Sequence, residues 1–126
     1  MNSVTLEVLR AFGQGFGFND LLPEGEDHAI HLQCGNGDII GFQVVEEELL
    51  CFVRRSYEPV VLDALWRSLF SLIHTEEWQV RQWHIGLTEQ NTLKIFTFLP
   101  AERLGTENLH QIFNEMWQLR EELSQL

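Results

Sequence analysis

The stretch His28–Arg54, HAIHLQCGNGDIIGFQVVEEELLCFVR, decides the fold class. His28 to Cys34 alternates, with His28, Ile30, Leu32 and Cys34 on one face and Ala29, His31 and Gln33 on the other. That period of two marks a half-buried strand. Gly35-Asn36-Gly37-Asp38 reads as a hairpin turn, because it supplies residues that tolerate positive φ. Ile39 to Val45 resumes the strand, with Ile40, Phe42 and Val44 on one face. Glu46-Glu47-Glu48 forms the next turn and Leu49 to Arg54 a third strand, so the segment predicts an antiparallel meander.

Before the meander, Ser3 to Phe12 fits a short amphipathic helix capped by Ser3 or Asn2. It ends at Gly13-Gln14-Gly15-Phe16-Gly17, where three glycines cannot sustain a helix. After the meander, Pro59 suits the first turn of a helix. From Val60 to His74, Leu62, Leu65, Trp66, Leu69, Phe70, Leu72 and Ile73 recur at spacings of three and four. Two more strands follow, Val80 to Leu87 and Leu93 to Leu99, joined by a turn at Thr88-Glu89-Gln90-Asn91. Pro100 to Gly105 is a linker, and Thr106 is the expected N-cap of a last helix with its apolar stripe at Leu109, Ile112, Phe113, Met116, Leu119 and Leu123. The predicted order is α-β-β-β-α-β-β-α: a single α+β domain over residues 1–126, an antiparallel sheet with helices packed on it.

Composition narrows the function. Nineteen Asp and Glu stand against eight Lys and Arg, a formal net charge of −11, and Lys94 is the sole lysine. A nucleic acid or an anionic membrane would require a cationic face, so neither is expected as a partner. With 44% hydrophobic residues, nine Phe and four Trp, the chain is no disordered acidic tail. The N-terminus lacks the basic and apolar regions of a signal peptide, and no stretch approaches the roughly 18 apolar residues of a membrane span. A reducing cytosol is the expected compartment, with Cys34 and Cys51 as free thiols.

Catalytic motifs find little support. His28-x-x-His31-x-x-Cys34 has zinc-ligand residue types, but an offset of three on a strand sends His31 to the opposite face from His28 and Cys34. The glycines at 13, 15 and 17 follow a helix, the reverse of a nucleotide-binding loop. Both cysteines sit in apolar strands, where the thiolate is disfavoured. No enzyme activity, metal or cofactor is expected. The hydrophobic excess is more telling: a middle helix apolar on nearly all sides predicts burial against a second subunit.

Element order, length and acidity, extending to the final LHQIFNEMWQLREEL (109–123), resemble the class I chaperones of bacterial type III secretion, the Tir-chaperone-like group. The last helix is most similar to that of the small subunits that chaperone the secretion gatekeeper, some of which work as heterodimers. The resemblance implies a cytoplasmic bacterial protein, a homodimer or a heterodimer with a similar small chaperone. Such a dimer holds the N-terminal chaperone-binding segment of a secreted effector or gatekeeper protein non-globular and secretion-competent. It implies a dimer interface at Leu62, Leu65, Trp66, Leu69, Phe70 and Trp83, and an effector-binding groove that includes Val8, Phe12, Phe16, Phe42, Val44, Leu50 and Phe52. The competing readings are a small cytosolic adaptor or regulatory domain unrelated to secretion, and a hydrolase built on a Cys–His pair.

Overall fold

Two tight bends shape the central meander. The computed structural model describes residues 29–73, 81–88 and 91–125, and in it β1 (Ala29–Gln33), β2 (Ile39–Val45) and β3 (Glu48–Ser56) pair antiparallel in succession. At the first bend Gly35–Gly37 forms a 3-10 turn, closed by the Cys34 N–H donating to the Asp38 carbonyl at 2.8 Å. Gly37 takes a φ of 79°, which a residue without a Cβ adopts at no steric cost. The second bend is tighter than the sequence suggested. Val45 pairs with Glu48, so the turn is Glu46 and Glu47 alone, and Glu48 already belongs to β3. Glu46 occupies the left-handed region at φ 57°.

The chain then forms α1 (Pro59–Ile73), β4 (His84–Leu87), β5 (Thr92–Pro100) and α2 (Thr106–Leu123). β4 is shorter than the expected Val80–Leu87, because Arg81 to Trp83 approach the sheet without pairing. The N-cap of α2 is Gly105, with no side-chain cap, so Thr106 opens the helix instead of capping it. The sheet order is β1-β2-β3-β5-β4, with every neighbour antiparallel. This is the expected α+β order from the first strand onward. The opening helix expected at Ser3–Phe12 and the glycine loop after it lie outside the described residues.

One sheet face carries the core. Directly paired residues share a face, so the register places Ile30, Phe42, Cys51 and Thr97 in one row and Leu32, Ile40, Val53, Ile95 and Ile85 in the next. α2 covers these rows with Leu109, Ile112, Met116, Leu119 and Leu123, a helical stripe that is buried throughout. Each such side chain contributes about 1.5–3 kcal/mol on burial. From α1, Leu62 and Leu69 are two turns apart and enter the same cluster, as does Trp83.

An ionic clamp fastens the end of α2 to the meander. Asp38, 1% exposed, accepts from Arg55 Nε at 2.8 Å and Nη2 at 2.5 Å, and from Arg120 Nε at 3.0 Å. Arg120 Nη2 also donates to the Gly35 carbonyl at 2.9 Å, and Arg55 Nη2 to Ser124 Oγ at 2.8 Å. A second pair, Arg81 to Glu115 at 2.7 Å, ties the approach to β4 to the middle of α2.

Candidate partner-binding surfaces

Two apolar surfaces lie away from the core. The first is on α1. Its stripe is wider than the chain's own core can cover: Leu62 and Leu69 are buried, Leu65, Trp66 and Leu72 are partly buried against them, and Phe70 is 51% exposed. Trp66 and Phe70, one turn apart, stack with ring centroids 5.6 Å apart. Val60 and Val61 are also exposed where the helix begins.

The second surface is the outward face of the sheet, opposite α2. Register alignment sets His31, Gly41, Phe52, Phe96 and His84 in one row that crosses all five strands. A Cβ at Gly41 would fall on the Phe52 ring. Glycine there lets Phe52 lie across β2, where the His31 ring meets its edge at 5.8 Å. His84 stacks on Phe96 at 5.3 Å, and Phe96 meets Phe98 edge-on at 6.0 Å. Leu50 and Phe52 are buried on this face yet stand outside the main core cluster, whereas Phe98 is 39% exposed. The next row pairs Arg54 directly with Lys94. Both cations lie over Phe52, Lys94 Nζ at 4.4 Å and Arg54 Cζ at 5.4 Å from its centroid.

The expected interface residues therefore divide. Leu62, Leu69 and Trp83 are spent inside the chain's own fold, Leu65 and Trp66 are shared, and only Phe70 is largely exposed. The expected groove residues divide as well. Phe42 and Val44 face the core with α2, while Leu50 and Phe52 face outward, so these four do not line one surface. Val8, Phe12 and Phe16 lie outside the described residues. The Arg54–Lys94 pair was missed from sequence. The period of two puts each cation on the same face as its neighbouring Phe, but only the register makes them partners.

The cysteines are poor nucleophiles. Burial pushes the Cys51 thiol up to about 12 and raises that of Cys34 as well. Both should react with a thiol probe far more slowly in the native state than in denaturant. Equal rates in the two states would revive the Cys–His hydrolase.

No protein-family model matches the sequence, and no curated protein matches it. Solved structures do. A chain of the ExsC–ExsE complex superposes with a TM-score of 0.79 at 17% identity, covering 100% of this chain and 95% of that one. A chain of the HopA1–SchA chaperone–effector complex superposes at 0.63 with 16% identity, covering 96% and 98%. This is the class I type III secretion chaperone fold. The Yersinia pestis type III secretion chaperone SycH, solved with a stable fragment of YscM2, has it too, with a TM-score of 0.59, 14% identity and coverage of 90% and 94%. Of the described strands β1 and β4 are the outermost, and α1 carries the half-exposed Phe70. Among the described residues no helix is long and apolar enough to cross a membrane.

Proposed function

We propose that the protein is a cytoplasmic type III secretion chaperone, without catalytic activity or cofactor. It binds the N-terminal chaperone-binding segment of a secreted effector or gatekeeper protein and keeps that segment non-globular and secretion-competent. The observation that carries this reading is the chaperone fold, shared along the whole length of the chain with structures of chaperone complexes. The two outermost strands of the described sheet and a face on which Phe96 is partly exposed and Phe98 exposed suit an extended segment. Its backbone adds to an edge while alternate side chains enter the face. Ordering such a segment costs roughly 2–5 kcal/mol of the gross interaction energy, which favours a large wrapped surface and hence a dimer. The Trp66–Phe70 margin of α1 is the proposed contact with the second copy or with a similar small chaperone.

Co-expression with the N-terminal segments of secreted proteins from the same host tests this directly. One segment should co-purify with a dimer and remain protease-sensitive outside the bound stretch. Capture of a folded protein alone, with no segment bound, would favour the adaptor reading. Failure of every segment would overturn the chaperone reading.

A further inference from the structure

We propose that Arg54 and Lys94 form a carboxylate subsite on the outward sheet face, which selects an Asp or Glu within an extended apolar peptide segment. This rests on the segment-binding reading above and adds a specificity to it. Four observations converge on the pair.

The first is charge placement. The chain has 19 acidic residues, yet of the outward-facing strand positions in the described sheet only Glu48 is acidic. It lies at the far end of β3 from Arg54, opposite Pro100. The second is that two cations sit directly opposite each other across an antiparallel pair, a placement that repels. Burial first, and then the Arg54 charge, pull the Lys94 ammonium below its ordinary value. An anion between them would relieve the repulsion. The third is an unspent donor: Arg54 Nε is buried with no hydrogen-bond partner. Among the described residues the acidic clamps are taken by other cations, Asp38 by Arg55 and Arg120 and Glu115 by Arg81. A buried donor left unmade is costly, and a guanidinium beside an ammonium offers a carboxylate several charge-assisted bonds.

The fourth is space. Arg54 borders a cleft of about 490 Å³ at the end of β3, whose lining includes the hydroxyls of Ser56, Thr88 and Thr92 and, among the described residues, no carboxylate. Beside it the face turns aromatic at the partly exposed Phe96 and the exposed Phe98, so an acid in a bound strand would be flanked by apolar side chains. The net charge of −11 does not oppose this. Exposed charges more than about 8 Å apart are largely screened at physiological salt, whereas the pair acts at contact. The global charge slows encounter with an acidic segment, and the pair sets which segment stays.

Selection from a random peptide library displayed on phage is the test, run on the full-length protein and on the Arg54→Gln/Lys94→Gln double variant. Peptides from the wild-type selection should carry Asp or Glu at a fixed position between apolar residues. The double variant should lose that preference, and a selected acidic peptide should bind it about tenfold more weakly. Arg54→Glu/Lys94→Glu should reverse the preference toward Lys or Arg. If the two cations merely cover Phe52, the variants would melt lower with unchanged peptide preference, which overturns the subsite. Peptides without acidic enrichment would overturn it too while leaving segment binding intact; no peptides at all would overturn both. Saturable binding of inorganic phosphate without an acidic peptide preference would reassign the pair to a free anion.

Discussion

Asp38→Ala should cost about 3–5 kcal/mol of folding stability, the largest loss expected from a single polar substitution among the described residues. The carboxylate is 1% exposed and takes both Arg55 and Arg120. Removing it leaves two guanidiniums, with side chains only 13% and 12% exposed, facing each other without a counter-ion. A domain of this size has about 5–15 kcal/mol in total, so the loss takes a large share of the margin. The clamp joins residues 82 positions apart, the turn after β1 and the last turn of α2. Its failure should therefore loosen the helix end that closes the core over β2 and β3. Glu115→Ala is the comparison. Its pair with Arg81 has both side chains 20% exposed, so it should lose closer to 1 kcal/mol. Urea denaturation of the two variants measures the difference. An Asp38→Ala loss under about 1 kcal/mol would show that the two arginines find other partners and that the clamp is dispensable.

Leu69→Asp and Phe70→Asp, adjacent on α1, should fail in different ways. Leu69 is 0% exposed within the core cluster. A carboxylate there has no described partner, and burying an isolated charge costs more than the fold can offset, so the variant should be unfolded or aggregated. Phe70 is 51% exposed, so Asp at that position should leave the subunit folded, with stability changed by about 0.5–1 kcal/mol. If the Trp66–Phe70 margin is the subunit contact, light scattering should show the mass of Phe70→Asp falling to that of a single chain. An unchanged dimer mass with a native circular dichroism spectrum would move the interface elsewhere. Leu62 and Leu69 cannot make this distinction, because damage to the monomer core and damage to a dimer would look alike.

The division between these two leucines and Phe70 shows where sequence reading reached its limit. Periodicity on α1 correctly marked more apolar surface than one stripe needs. It could not say which residues the chain's own sheet would absorb, because that depends on how the helix sits against the sheet. The same holds for the groove. Alternation put Phe42 with Val44 and, separately, Leu50 with Phe52, but which set met α2 required the pairing of β2 with β3. The boundary differences at Glu48 and at Thr106 have a local cause. Glu46 accepts a left-handed conformation that tightens the hairpin, and Gly105 supplies the extended backbone of an N-cap without a side-chain bond.

By itself the sequence determined the α+β class, the order of elements from β1 onward, the alternation within each strand and the excess of apolar surface. These are properties of short stretches, set by side-chain period and turn chemistry. The tertiary structure alone decided the pairing of β5 with β3, the burial of Asp38 between two arginines, the passage of Phe52 over Gly41 and the meeting of Arg54 with Lys94. Each joins residues 11 to 82 positions apart, and no local pattern encodes such a contact. It forms only when the register of one strand against another, and of a helix over both, is fixed by packing the whole core at once.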